Sequence, residues 1–137
     1  MDTGQFMAVQ AAAVAALESW ETFVPRNREV FQERRDEAVA AFSKAGFRCD
    51  WPKATMFLWI ELPEGLPSAM FAERLMDEEG VIVLPGSGFG AGGEGFFRIS
   101  FITSPGRIRE AAQRAGRVLK KFASPNAHAQ AAKPVMA

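Results

Sequence analysis

The residue in this chain with the clearest capacity for chemistry is Arg98. It lies in a strand-like run at residues 96–101, which follows a glycine-rich loop at residues 85–95. Alternation along a strand places Arg98 and Ser100 on one face of the run. The opposite face then carries Phe97, Ile99 and Phe101. The sequence therefore predicts a guanidinium standing out from an otherwise apolar strand.

A guanidinium in such a strand needs an anionic partner. Its planar fork matches a carboxylate in bidentate fashion, so a small carboxylic acid is one candidate ligand. The other candidate is a structural salt bridge to one of the sixteen Asp and Glu residues. Because rare buried charges are usually paired internally, the chemistry of Arg98 alone favours the salt bridge.

The loop before this strand contains a literal G-x-G-x-x-G at residues 88–93. A dinucleotide-binding turn needs a helix at its end, so that the helix N-terminus meets the pyrophosphate, but here another strand follows at residues 96–102. No G-K-[ST] follows either, which excludes a P-loop. The glycines then indicate residues with positive φ or a close approach to a ligand or another backbone, and a flexible hairpin loop is the alternative.

Length and composition limit the other functions. At 137 residues and 48% hydrophobic, the chain can form a globular domain with a sizeable core. Its sixteen basic and sixteen acidic residues cancel, so the net charge favours neither nucleic acid nor an anionic membrane as a partner. Cys49 cannot form an internal disulfide, and with only His128 it cannot make a Cys/His zinc site, so no metal is expected and the composition suits a reducing cytoplasm.

The elements that must position Arg98 follow from periodicity and capping residues, and they predict an α+β fold with helices over one or both faces of a small antiparallel or mixed β-sheet. The apolar stretch Phe6 to Leu17 lacks the positive start of a signal peptide and is shorter than the roughly 20 residues that span a bilayer. Its helix is apolar nearly all round, which is typical of part of a larger body. Predicted helices cover residues 5–23 (ended by Pro25), 26–45, 68–79 and 105–122; predicted strands cover 47–51, 55–62, 81–84 and 96–102.

The last helix carries six cations and a single Glu. This pattern allows a phosphate-binding stripe, but it is more typical of the solvated face of an amphipathic helix. The residues are Arg107, Arg109, Arg114, Arg117, Lys120 and Lys121, with Glu110.

Several segments, in this order, resemble the C-terminal third of fold-type I, pyridoxal-phosphate-dependent aminotransferases of classes I and II, of the aspartate or LL-diaminopimelate type. The resemblance covers about residues 2–122. The segments are DTGQF at residues 2–6 with Gln10 and Ala15-Ala16-Leu17, FQERRD at 31–36, PKATMFLW at 52–59, GVIVLPGSGFG at 80–90 and FRISF at 97–101.

The resemblance implies roles for some of these residues and a division of the chain into domains. Arg98 would grip the α-carboxylate of an amino acid or 2-oxo acid substrate, with Gly88, Phe89 and Gly90 close to the active site. Thr3, Gly4 and Gln5 would approach the active site of the partner subunit in a homodimer. Residues 1–25 would be a remnant of the large, cofactor-binding domain, 26–123 the small domain, and 124–137 a disordered tail.

The resemblance also implies what this chain lacks. The Schiff-base lysine, the aspartate that pairs with the pyridine nitrogen and the phosphate-binding residues lie upstream of the segment resembling residues 2–4. The lysines present are Lys44, Lys53, Lys120, Lys121 and Lys133, all in segments where the family has no cofactor lysine. We therefore expect a C-terminal aminotransferase fragment with no catalytic residue of its own, inactive alone, whose parent enzyme uses pyridoxal 5'-phosphate. Phe57 stands where the family often has tyrosine. The alternative is a non-catalytic carboxylate-binding or dimerisation module.

Overall fold

The computed structural model describes residues 4–122 of the chain. The chain divides into two compact units between Gln32 and Glu33. The predicted tail at 124–137 and the predicted partner contact at Thr3 lie outside the described residues.

The first unit begins with α1 (Met7–Glu18), a helix with no buried residue. The predicted break at Pro25 is wrong, because α2 (Trp20–Lys44) runs through that proline. The helices separate at Ser19 instead. There the Ser19 hydroxyl donates to the Ala15 carbonyl (2.8 Å), and the Thr22 hydroxyl donates to the Ser19 carbonyl (3.0 Å). Such side-chain bonds compete with the helical ladder for backbone carbonyls.

The second unit contains an antiparallel sheet of three strands, β1 (Phe57–Glu61), β2 (Leu84–Pro85) and β3 (Phe96–Ser100). The strand order is β1-β3-β2, so β3 lies at the centre. The fold is therefore α+β with a small antiparallel sheet, as the sequence predicts.

Two predicted strands are largely absent. Residues 47–51 contribute only an isolated bridge between Arg48 and Glu61, and the chain bends at residues 53–56 before β1 begins. Of residues 81–84, only Leu84 enters a strand, and it is exposed. The residues before it follow the helix cap, where Val81 N–H donates to the Leu75 carbonyl (3.3 Å).

One face of the sheet packs into the core. Phe97 at the centre of β3 has no exposed surface, and its ring centroid lies 4.9 Å from that of Phe71, 5.4 Å from that of Phe47 and 6.1 Å from that of Phe42. These rings come from the helical layer and the segment after α2, and aromatic pairs at such distances add to the free energy of burial. Leu58 and Ile60 of β1 complete this face.

The helices α3 (Ser68–Glu79) and α4 (Pro105–Phe122) match their predicted bounds. In α3, Phe71 and Leu75 are buried as expected, but Met76 is 48% exposed. Gly80 ends α3 in the left-handed conformation (φ +63°), as a C-terminal glycine should. Within residues 4–122, no helix is long and apolar enough to cross a membrane.

Candidate functional site

Arg98 lies on the face of the sheet that points away from the core. Across the β1–β3 ladder it stands opposite Trp59, and Ser100 stands opposite Phe57. The buried pair Ile60 and Phe97 occupies the other face. The strand register therefore confirms the prediction that Arg98 and Phe97 lie on opposite faces of the sheet.

The guanidinium of Arg98 is held between two aromatic rings. Its Cζ lies 4.1 Å from the ring centroid of Phe57 and 4.2 Å from that of Phe89. Each contact of this kind is worth about 0.5–2 kcal/mol, and the larger figure applies where water is excluded. The two rings therefore pack closely against the guanidinium.

Arg98 has no acidic partner in the part of the chain that the structure describes. None of the ion pairs formed there involves it, and its Nε is buried without a hydrogen-bond partner. The internal salt bridge that the residues also allowed is not formed within residues 4–122. A buried donor without a partner costs about 1–3 kcal/mol, which an incoming anion can offset.

The glycine-rich loop brings Phe89 to this position through two short 3₁₀ turns, Gly86–Phe89 and Ala91–Gly93. A Cβ added at Gly86 would lie 1.9 Å from the Gly93 carbonyl oxygen, and one added at Gly93 would lie 2.1 Å from the Gly86 carbonyl oxygen. The two turns can pack this closely only because both positions are glycine. Gly90, between the turns, has φ +108°, which glycine adopts without strain. Strand β3 follows the loop, so the helix that a dinucleotide-binding turn requires is absent at this place.

A polar cluster anchors the loop to α3. The Ser68 N–H donates to Glu94 Oε1 (2.7 Å), and the Ser68 hydroxyl lies 3.1 Å from both Ser87 Oγ and Glu94 Oε2. The Ser87 N–H donates back to Ser68 Oγ (3.2 Å). These bonds from Ser68, with one from the Gly95 N–H, lower the pKa of the Glu94 carboxyl below its ordinary value. Glu94 therefore caps the N-terminus of α3 from the far end of the loop.

Beside Arg98 is a cavity of about 480 Å³. Thr55 lines it with φ +73°, unusual for a β-branched residue, and its hydroxyl accepts a hydrogen bond from the Phe57 N–H (3.1 Å). Burial raises the pKa of the Cys49 thiol, which keeps that group neutral. The cavity is lined by Arg48, Cys49, Asp50, Pro52, Thr55, Phe57, Trp59, Glu61, Phe96 and Arg98.

Comparison with known proteins identifies the family. The model of the class I and II aminotransferases matches residues 6–114, well over half of the chain. The chain belongs to this family. An LL-diaminopimelate aminotransferase from Oleidesulfovibrio alaskensis is 44% identical over 114 residues, which are 83% of this chain and 29% of that enzyme.

Solved aminotransferase structures share the fold. A probable N-succinyldiaminopimelate aminotransferase from Thermus thermophilus matches with a TM-score of 0.78 and 36% identity, covering 86% of this chain and 32% of that one. The α-aminoadipate aminotransferase LysN from Thermus thermophilus, complexed with N-(5'-phosphopyridoxyl)-L-leucine, matches with a TM-score of 0.72 and 31% identity, covering 80% of this chain and 29% of that one. The chain thus spans less than a third of the length of these relatives.

Pyridoxal 5'-phosphate is the cofactor of this aminotransferase family. The residues around Arg98 do not fit its attachment, since no lysine lines the cavity. Elsewhere in residues 4–122, Lys44 and Lys120 line a separate groove and Lys121 pairs with Glu78. The donors at Arg98 fit a carboxylate instead, because the guanidinium offers charge and an in-plane edge.

The other predicted site residues of this aminotransferase chain lie in two places. Gly88 and Gly90 flank Phe89 and are exposed. Gly4 and Gln5 are exposed residues before α1 in the first unit, and their predicted contact with a partner subunit stays a prediction. The sequence did not reveal the anchoring role of Ser68 and Glu94, because their contact joins residues 26 apart.

The cations of α4 mostly have acidic partners. Arg117 pairs with Glu79 (2.6 Å), Lys121 with Glu78 (2.5 Å) and Arg109 with Glu37 (2.9 Å). These pairs agree with the amphipathic-helix interpretation rather than a phosphate-binding stripe.

Proposed function

We propose that this chain is the C-terminal part, mainly the small domain, of a pyridoxal-phosphate-dependent aminotransferase that transfers an amino group between an amino acid and a 2-oxo acid. In this proposal residues 26–123 form the small domain and residues 1–25 belong to the large domain. The complete enzyme would be a homodimer of the cytoplasm, to which the single thiol of Cys49 is suited.

The observation that carries the proposal is the state of Arg98. Its guanidinium is held between two rings, faces a cavity and has no acidic partner within residues 4–122. A guanidinium that is packed by rings and lacks an internal carboxylate partner can bind an anionic ligand. The family supplies the identity of the anion, since every substrate of an aminotransferase that acts on α-amino acids carries a carboxylate.

In this role Arg98 binds and orients the substrate rather than moving protons. A bidentate pair fixes both position and angle of the carboxylate, and such positioning lowers the barrier of the later steps. Phe57 and Phe89 pack against the guanidinium and exclude part of its water, which strengthens the pair. In a complete enzyme this domain would also move as one wall of the active site and close over the substrate. The lysine that does the covalent chemistry would come from outside this chain.

The carboxylate site can be tested on the 137-residue chain itself. We expect sodium 2-oxoglutarate to shift, saturably, the NMR signals of the Arg98 Nε–H and of backbone amides in β3 and the 3₁₀ turn of Phe89. A single charge-assisted pair is worth about 1.5–3 kcal/mol, so a dissociation constant of about 5–80 mM is expected. Arg98→Lys should abolish saturation. Arg48→Lys is the control, because Arg48 lines the same cavity but its side chain is 86% exposed. Unchanged binding by Arg98→Lys would refute the site.

One observation favours the second candidate, a non-catalytic binding or dimerisation module. Helix α1 has no buried residue, and Phe6, Met7 and Leu17 are each more than 70% exposed. Exposed apolar surface of this kind marks association. Gel filtration of the chain separates the two: oligomers that form without ligand, together with no NMR response to 2-oxoglutarate, would favour the module.

A further inference from the structure

We propose that Phe57 and Phe89 form an aromatic clamp that makes Arg98 selective for a planar carboxylate over tetrahedral anions such as phosphonates. The inference rests on the proposed carboxylate site and adds a specificity-determining role for two residues that do not donate hydrogen bonds through their side chains. Both act on the ligand through Arg98, so they are positioning residues.

The selectivity follows from the geometry of the guanidinium. Its N–H bonds all lie in one plane, and the ring centroids of Phe57 and Phe89 lie 4.1 Å and 4.2 Å from Cζ, so two rings flank the group. A carboxylate has two oxygens, which lie in the same plane when it binds edge-on. A phosphonate places a third oxygen outside the plane, towards one of the rings. The π-face is electronegative and offers no donor, so that oxygen loses water and gains no hydrogen bond.

The clamp must be stiff in order to discriminate, and each ring is supported separately. Phe57 begins β1, and its N–H is bound by the Thr55 hydroxyl at 3.1 Å. Phe89 is 48% exposed, but its ring packs edge-on against Trp59 with centroids 5.3 Å apart. Its loop is tied to α3 two residues earlier, where the Ser87 N–H donates to Ser68 Oγ.

Phe96 supplies a matched control. It lies on the same face of the sheet, lines the same cavity and touches Trp59 with centroids 6.3 Å apart. The aromatic contacts of Arg98 are with Phe57 and Phe89 and not with Phe96. A loss of aromatic surface at Phe96 therefore changes the apolar surroundings of the site without opening the clamp.

The test measures the affinity of the 137-residue chain, and of its Arg98→Lys variant, for acetate and for methylphosphonate. Binding is followed through the backbone amides of β3 in both chains and through the Arg98 Nε–H signal where that side chain is present. We expect the unmodified chain to prefer acetate about 10-fold, from one unsatisfied oxygen. Phe89→Leu and Phe57→Leu should reduce the preference to about 2-fold or less, whereas Phe57→Tyr and Phe96→Leu should keep it. The clamp should also slow rotation about the Arg98 Nε–Cζ bond, and Phe89→Leu should speed it up.

Each outcome decides one proposal. If acetate binding requires Arg98 but Phe89→Leu retains the full preference, or if the unmodified chain has no preference, the clamp is wrong and the carboxylate site stands. If acetate binding does not depend on Arg98, the proposed function itself fails. Should Phe57→Leu fail to fold by circular dichroism, the half-exposed Phe89 decides the matter alone.

Discussion

At the scale of single residues, the central feature is the charge of Arg98, which has no acidic partner among residues 4–122. Two rings replace part of the hydration of the Arg98 guanidinium, and each contact is worth about 0.5–2 kcal/mol. This compensation is incomplete, since Nε stays buried without a hydrogen bond. A residue in that state is less stabilised in the free protein than in a complex, which is how a binding residue differs from a structural one.

The loop that carries Phe89 offers a prediction at two glycines. Gly86→Ala should lower the free energy of unfolding by about 1–3 kcal/mol, because its Cβ would meet two backbone carbonyl oxygens, at 1.9 Å and 2.6 Å. Gly88→Ala should be close to neutral, since a Cβ there meets nothing within 4 Å. Urea denaturation of both variants measures the difference. Equal losses at Gly86 and Gly88 would show that the close approach is not what the loop depends on.

The sequence predicts on which face of the sheet Arg98 lies but not which aromatic rings contact it. Period-two alternation was enough to put Arg98 on the face opposite Phe97, because alternation follows from backbone geometry alone. The clamp was not predictable in the same way. Phe89 reaches Arg98 only after two 3₁₀ turns fold the loop back, and their glycine contact depends on tertiary structure.

At the scale of elements, the sequence predicts helix ends correctly where the chain has a residue typical of a helix terminus. Gly80 ends α3, and Pro105 begins α4 with the Ser104 carbonyl accepting from the Ile108 N–H (3.1 Å). The predicted end of the first helix was wrong. Pro25 is the stronger local signal for a helix break, yet α2 runs through it and the two helices separate near residue 19 instead. The strand predicted at residues 47–51 was wrong because a strand also needs a neighbouring strand to pair with, and only Arg48 makes such a bridge.

The anchor between α3 and the loop gives a pH prediction. Hydrogen bonds lower the pKa of Glu94, so its carboxylate stabilises the fold fully above the pKa of the unfolded state, and this stabilisation is lost as the pH falls through the lower pKa of the folded state. Glu94→Gln should therefore destabilise the chain at neutral pH, and the difference from the unmodified chain should shrink in acid. Thermal unfolding from neutral to acidic pH measures it.

The control for this prediction is Glu73→Gln, which changes an exposed carboxylate on α3, the helix whose N-terminus Glu94 caps. It should leave stability nearly unchanged at every pH. A Glu94→Gln effect that stays constant from neutral to acidic pH would mean that the negative charge at the α3 N-terminus is not what stabilises the anchor.

At the scale of the whole molecule, the chain spans less than a third of the length of the aminotransferases it resembles. The cavity at Arg98 has the donors for a substrate carboxylate but no lysine for the cofactor. In the proposed function, the carboxylate-binding arginine and the cofactor lysine therefore lie on different stretches of polypeptide. The sequence indicated this division through the resemblance, whereas composition and periodicity gave only the fold class.

This division predicts that the isolated chain does not retain the cofactor. After incubation with pyridoxal 5'-phosphate and desalting, the 137-residue chain should show no visible absorbance from bound cofactor, and it should have no transaminase activity. A full-length aminotransferase treated in parallel is the positive control. A stable visible band from the chain alone would mean that one of its own lysines holds the cofactor.

If Arg98 binds the substrate carboxylate, the kcat/KM of an intact aminotransferase that contains this segment must depend on its guanidinium. Arg98→Lys removes the bidentate fork but keeps the charge, so kcat/KM should fall about 10- to 100-fold, which corresponds to the 1.5–3 kcal/mol of a charge-assisted bond. Arg48→Lys in the same cavity should stay within about 2-fold, as expected of an exposed ion pair. An unchanged kcat/KM in Arg98→Lys would contradict the account and make Arg98 a structural residue.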